Sequence, residues 1–270
     1  MRLDDMLRRI DPALRLLDVL FRRLSSEPRL MLRAWGFLTR WPVPHRVWGE
    51  DGDLGRSMRW FPLAGAGVGL FAGVTYAVLA QLGKPDLAAA GIALAVAALL
   101  TGALHEDGLA DLADGLGGGD TKARALEIMR DSRIGVYGAL ALALATLIKA
   151  GALASHAPVE GLAFMVCAHA SGCAAVALAA ASAPYARPDG MAGHAGTTMG
   201  NAGIAVGVAA LIALTCGAQG LLALVLALAA GQALLLHLRQ RLGGWTGDGL
   251  GAIEQVAEIT ALVVLSATLT

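Results

Sequence analysis

From Phe61 to its end the chain is written as long apolar runs divided by short polar ones. Seven runs stand out: 61–83, 87–104, 136–155, 161–183, 201–218, 220–238 and 257–270. A helix needs about 20 mostly apolar residues to cross a hydrocarbon core of about 30 Å, because lipid offers its backbone no hydrogen-bond partner. Six runs approach that length. The seventh, of 14 residues, is a tilted span, a re-entrant segment or a helix lodged between others. The pattern predicts an all-α, polytopic membrane helix bundle of about six or seven transmembrane helices joined by polar loops. Residues 31–270 read as a single integral-membrane domain, without a convincing repeat or long linker.

The runs are rich in Ala, Leu, Val and Gly, and some of the 35 glycines, among them Gly65, Gly67, Gly69 and Gly73, fall inside them. Small residues let helices approach closely in lipid, where burial of apolar surface supplies little drive, so a tightly packed bundle is expected. With 56% apolar and 16% charged residues, the chain lies outside the soluble average of about 45–50% and about 25%, which argues against a plain soluble enzyme. Lys149 would cost about 2.5–3.5 kcal/mol at a span centre, but it stands near the end of its run and can snorkel. Cys167, Cys173 and Cys216 lack metal-ligand spacing and read as small buried apolar residues.

Charge adds a topology. The formal net charge is zero, from 21 basic and 21 acidic residues, which disfavours a nucleic-acid partner. Twelve arginines, from Arg2 to Arg59, precede the first span. Short loops rich in Lys and Arg stay in the cytoplasm. With the N-terminus inside, seven crossings leave 105–135, 184–200 and 239–256 inside as well, together with 19 of the 21 basic residues. Residues 1–30 read as a basic N-terminal extension. Leu3, Met6, Leu7, Ile10, Leu14 and Leu17 recur there at helical spacing, suited to the inner membrane surface, although an extension without function fits equally. Arginines interrupt its apolar stretch and no small-residue cleavage site follows, so no signal peptide is expected.

The densest chemistry lies at His105-Glu-Asp-Gly-Leu-Ala-Asp-Leu-Ala-Asp-Gly115. On a helix, Asp107, Asp111 and Asp114 share one face. Two carboxylates about 4 Å apart repel by about 1 kcal/mol in water and about 4 kcal/mol at an effective dielectric of about 20, unless a cation sits between them. A solvated acidic face or a helix cap is the simplest reading of such spacing. Gly108 and Gly115 argue for more, since each costs a helix interior about 1 kcal/mol and would admit a substrate to the backbone. Mg²⁺ takes one or two carboxylates together with substrate phosphate oxygens. Asp107, Asp111 and Asp114 are therefore the expected metal ligands, with two ions, or one at Asp111 and a single neighbour, because about 10.5 Å of helix rise separates Asp107 from Asp114. His105 is either a base or an interfacial residue.

After Gly117-Gly-Gly-Asp120 a short helix carries Lys122, Arg124, Glu127, Arg130, Asp131 and Arg133. Its arginines could hold phosphates, although i, i+4 charge pairing explains part of the pattern. Pro184-Tyr-Ala-Arg-Pro-Asp-Gly190 is a turn-rich loop in which Tyr185 and Arg187 could hold a ring or an anion, or a tight connection and no more. Gly243-Gly-Trp-Thr-Gly-Asp-Gly-Leu-Gly251 leads to Glu254 and Glu258, and suggests close backbone approach to a phosphate without matching a P-loop or dinucleotide pattern. Acidic residues thus recur on one expected side, which points to one metal-assisted phosphate site.

These residues together resemble the cobalamin synthase, or adenosylcobinamide-GDP ribazoletransferase, family. The likeness starts at Trp35-Gly-Phe-Leu-Thr-Arg-Trp-Pro-Val-Pro44 and Phe61-Pro-Leu, and passes through Thr101 to Gly115 and Leu126-Glu-Ile-Met-Arg-Asp-Ser-Arg-Ile-Gly135. It continues through Tyr185-Ala-Arg187 to the 243–251 loop and its downstream glutamates, so it covers about 31 to the C-terminus. The resemblance implies a transferase joining α-ribazole, or its 5′-phosphate, to adenosylcobinamide-GDP with release of GMP, using Mg²⁺, at the bacterial inner membrane. It implies Asp107 as the essential residue with His105 or a neighbouring Asp as base, and Asp107, Asp111 and Asp114 on metal. Substrate would be held by Arg124, Arg130, Asp131, Arg133, Tyr185, Arg187, Asp248 and Glu258. Glu106 stands where family members often carry an apolar residue, and Glu254 is one position off their usual first glutamate, which favours Glu258.

Two other classes compete. A prenyl- or CDP-alcohol-type transferase also uses aspartates and Mg²⁺, but the D-x-x-D-G-x-x-A-R signature of the latter is missing. A transporter keeps its ionisable groups near the midplane, whereas here the acids are expected in loops. An oligomer is compatible with the sequence.

Overall fold

The computed structural model describes residues 26–48, 53–84, 86–187 and 196–267. The amphipathic pattern expected at 1–25 lies outside the described residues, as do Pro188, Asp189 and Gly190. Among the described residues the fold is helical, without strands. In chain order the helices are α1 (26–38), α2 (Asp53–Ser57), α3 (Phe61–Gln81), α4 (Asp86–Thr101), α5 (Leu104–Gly118), α6 (Lys122–Ile128), α7 (Val136–Ala154), α8 (Pro158–Ser182), α9 (Met199–Ala213), α10 (Gly217–Leu242) and α11 (Gly247–Ser266).

Helix α8 is the hub, packed against α3, α9, α10 and α11. Its buried face is almost all small residues, including Ala168, Ala170, Ser171, Gly172, Ala174 and Ala175. Helix α3 meets it through Gly65, Gly69 and Gly73, one turn apart. A Cβ at Gly65 would stand 2.6 Å from the His169 carbonyl oxygen and one at Gly73 2.8 Å from Leu162 Cα, while one at Gly69 would overlap the Met165 carbonyl. Backbone-to-backbone contact of this kind is how helices associate where apolar burial counts for little. Gly67 points the other way, onto the Trp35 ring.

Five stretches are long and apolar enough to cross a bilayer: Leu54–Gln81, Val136–Ala154, Pro158–Ser182, Met199–Leu242 and Gly247–Ser266. The pair α4 and α5, bent by 92°, makes a sixth if it is one broken span. The bend sits at Gly102 and Ala103, both left-handed at φ 69° and 58°, and Arg40 N–H donates to the Leu100 carbonyl at the freed end of α4 (2.8 Å). The runs 201–218 and 220–238 become α9 and α10, which share the fourth stretch and turn at Gly217, φ 65°.

The short run 257–270 is not a separate span. It is the second half of α11, which begins ten residues earlier, capped where the Thr246 hydroxyl accepts from Gly249 N–H at 2.9 Å. Four glycines in 243–249 read as loop because glycine disfavours helix, yet packing overrides propensity here.

Candidate functional site

Helix α5 carries the acidic motif and packs against α11 and α7. Its glycines serve that packing. A Cβ at Gly108 would lie 2.7 Å from the Asp248 carbonyl and 3.1 Å from Gly251 Cα, and Gly251 in turn faces Gly108 and His105. Gly115 faces the Met129 side chain and the Ala125 carbonyl. The expectation that Gly108 and Gly115 admit substrate is therefore corrected: they admit neighbouring helices.

The three aspartates part company. Asp114 is buried and accepts from Gly135 N–H (2.6 Å) and Gly138 N–H (2.9 Å), two free donors at the start of α7. The structure thus gives it the task of a helix cap rather than a place beside Asp107. Asp107 is exposed and Asp111 half-buried. Asp111 lies in the field of Asp107 and Asp248, and then Asp114, opposed by the Arg187 guanidinium. Among the described residues no three His, Cys, Asp or Glu side chains are placed to hold a metal by themselves. Asp107 and Asp111 suit a hard ion that fills its shell with water and substrate phosphate, since Mg²⁺ usually needs only one or two protein carboxylates.

Arg187 and Asp248 are brought together by a small zipper. Trp245 N–H donates to Pro184 O (3.0 Å) and Ala186 N–H to Trp245 O (2.8 Å), and the Tyr185 and Trp245 rings meet at 4.8 Å. Arg187 then donates from Nη2 to Asp248 Oδ2 at 2.9 Å. Tyr185 is consequently a packing partner of Trp245. Of the local glycines, Gly243 supplies a left-handed helix end (φ 85°), and only Gly247 faces open space.

The arm after α5 stays at the surface. Arg124 pairs with Glu127 (2.8 Å) and Arg130 is exposed. Arg133 clasps Asp131 through Nε and Nη2 (3.0 and 2.6 Å), and this holds the Asp131 carboxyl down to about 2. None of these four expected substrate contacts reaches the cavity described below.

Inside the bundle lies a cluster foreign to the expectation that acids keep to loops. Glu254 and Glu258, one turn apart on α11, are 0% and 1% exposed. Lys149 does not snorkel: at 5% exposure it donates to Gln255 Oε1 (2.8 Å) and Glu258 Oε2 (3.4 Å), with Glu106 at 4.0 Å. Gln255 Nε2 donates to Glu254 Oε2 at 3.0 Å. His169 Nδ1 stands 3.5 Å from Glu258 Oε1, and His105 Nδ1 3.3 Å from Glu254 Oε2. One lysine thus serves three carboxylates, and Glu106 Oε2, Glu254 Oε1 and Glu258 Oε1 accept no hydrogen bond. A signal for it was present, because a charge in a span costs about 2.5–3.5 kcal/mol and calls for a partner, and Lys149, Glu254 and Glu258 all lie in apolar helices. Glu258 belongs to this cluster, away from the cavity.

Where α1, α3, α5, α8 and α11 meet there is a cavity of about 400 Å³. His105, Asp107 and Asp248 form its polar edge, and the rest of its wall is apolar or glycine. The site as a whole can therefore take an apolar group beside carboxylates, an imidazole backed by a buried glutamate, and one arginine.

The family described as cobalamin-5-phosphate synthase matches residues 30–266. A protein of Rhizobium etli named adenosylcobinamide-GDP ribazoletransferase is 42% identical over 249 residues, 88% of this chain and 96% of that one. Proteins of the same name from Bradyrhizobium diazoefficiens and Brucella anthropi are 43% and 40% identical, over 87% of this chain and 92% and 95% of theirs. No solved structure matches.

Proposed function

The chain belongs to the cobalamin-5-phosphate synthase family, and we propose that the acids at the cavity edge, Arg187 and the His105–Glu254 pair carry out its reaction. The protein is an adenosylcobinamide-GDP ribazoletransferase, a multi-pass membrane enzyme of cobalamin biosynthesis. It joins α-ribazole, or its 5′-phosphate, to adenosylcobinamide-GDP and releases GMP. A ribose hydroxyl oxygen forms a bond to the phosphorus that carries cobinamide, the bond from that phosphorus to the GMP oxygen breaks, and the hydroxyl proton goes to a base.

His105 is that base. Its Nδ1 faces Glu254, which fixes the ring and leaves Nε2 as the acceptor. Asp107 and Asp111 are the residues that would hold Mg²⁺, which would supply neutralisation of charge on the pyrophosphate. Arg187, paired with Asp248 at the edge, is placed to exchange that partner for a phosphate oxygen. The reading rests most on one observation, that His105, Asp107 and Asp248, expected from two separate loops, share one cavity edge. We place that edge on the cytoplasmic side of the inner membrane, because the three segments meeting there belong to the side holding 19 of 21 basic residues.

The test is turnover. Purified protein in detergent or liposomes with Mg²⁺ should convert adenosylcobinamide-GDP and α-ribazole to adenosylcobalamin and GMP. Absence of product, beside an active relative in the same assay, would overturn the reading.

A further inference from the structure

We propose that the 400 Å³ cavity is the acceptor subsite, taking the neutral aromatic base of the ribazole nucleoside with its ribose turned toward Asp107, Asp248 and His105. The inference rests on the transferase reading above and says which of the two substrates the cavity holds.

Size comes first. Small-molecule sites span roughly 300–1,000 Å³, and this cavity stands at the small end of that range. A bicyclic base with one pentose fills it, whereas a corrin macrocycle with its amide side chains and a nucleotide does not enter.

Charge points the same way. Among the described residues the lining includes no Lys or Arg, while Asp107 and Asp248 stand at its edge. Inside that lining a phosphate group would meet no cation, the guanidinium of Arg187 lying outside it on Asp248, whereas an uncharged benzimidazole needs none. At the edge, carboxylate oxygens can also accept hydrogen bonds from ribose hydroxyls, which brings the sugar next to the phosphate-binding groups.

The wall is shaped for a flat ring. Phe37 and Phe61 stack at 5.7 Å and 15° and both line the cavity, as does Trp245, whose indole N–H is already given to Ala183 O at 2.9 Å. Aromatic faces of this kind hold a planar ring by offset or edge contacts. At Gly247 a Cβ would meet nothing within 4 Å, so the cavity keeps its width there. The segments 35–44 and 61–63 have no reactive side chain of their own in the reading above, and they supply Phe37 and Phe61. A base seated against them leaves its sugar beside His105, the proton acceptor.

Two variants test this, compared by steady-state kinetics for each substrate and by calorimetric titration of α-ribazole alone. Val176→Phe, on the α8 wall, should raise KM and Kd for α-ribazole by about tenfold or more while KM for adenosylcobinamide-GDP stays within about twofold. It should also favour the riboside of unsubstituted benzimidazole over the dimethyl form. Phe37→Ala, at a site 40% exposed, should weaken α-ribazole in the same selective way. Unchanged α-ribazole constants in both variants would overturn the subsite, as would a rise confined to adenosylcobinamide-GDP. Failure of the wild-type protein to make product overturns the transferase reading instead, and the titration separates the two results.

Discussion

His105 Nδ1 lies 3.3 Å from the fully buried Glu254 carboxylate, so the first residue of the acidic motif is held from the bundle interior. The α5 backbone at His105 also presses on Gly251, one turn before Glu254, and this fixes the distance between the two helices. The ring is thereby oriented before any substrate arrives.

If His105 takes the proton, His105→Ala should lower kcat by about 10²–10⁴-fold. Glu254→Gln keeps the shape but weakens the orientation, and should cost about 10–100-fold in kcat with both KM values nearly unchanged. Rates measured with both substrates saturating check this. A Glu254→Gln enzyme at wild-type kcat would remove Glu254 as a positioning residue.

The aspartates should separate by phenotype. Asp107→Asn and Asp111→Asn should lose turnover, or need far more Mg²⁺ for half-maximal rate, with unchanged thermal unfolding in detergent. Asp114→Asn retains a single oxygen for the amides of Gly135 and Gly138, so it should lower stability by about 1–3 kcal/mol. Its Mg²⁺ dependence should stay that of the wild type. A raised Mg²⁺ requirement with normal stability would return Asp114 to the metal.

Lys149→Met leaves Glu106 and Glu258 without their cation, and should destabilise the protein by about 3–5 kcal/mol. Adding Glu258→Gln should recover much of the loss, because the uncompensated charge goes with it. Thermal unfolding of the single and double variants in one detergent reads both effects. Equal stability of Lys149→Met and wild type would show that the cluster is balanced without the lysine.

Orientation can be read by thiol labelling of intact cells. In a Cys216→Ser background the remaining cysteines, Cys167 and Cys173, are buried. Lys84→Cys, exposed after α3, should react with an impermeant maleimide, and Lys122→Cys, exposed at α6, should react only after the membrane is opened. The reverse pattern would invert the topology.

Much of this protein is determined by its sequence alone. Runs of about 20 apolar residues can satisfy their backbones in lipid only as helices, so the helical bundle follows from hydropathy. Gly65, Gly69 and Gly73 signal close packing for the same local reason. The motif strings also suffice to place the chain in its family. What each polar residue does is another matter, because equal spacing along a helix does not say which neighbour a side chain meets. Asp107 and Asp114 look alike in the motif, yet the start of α7 lies under one of them and not the other. Lys149 looks free to snorkel until α11 brings Glu258 and Gln255 against it. Gly108 and Gly251 look like places for substrate, and their closeness to each other shows two backbones in contact. These are contacts between different helices, those of Lys149 and Gly108 reaching more than 100 positions along the chain, decided by how α5, α7 and α11 cross, and the energy of a buried charge or an unpaired amide depends on that crossing rather than on the local pattern.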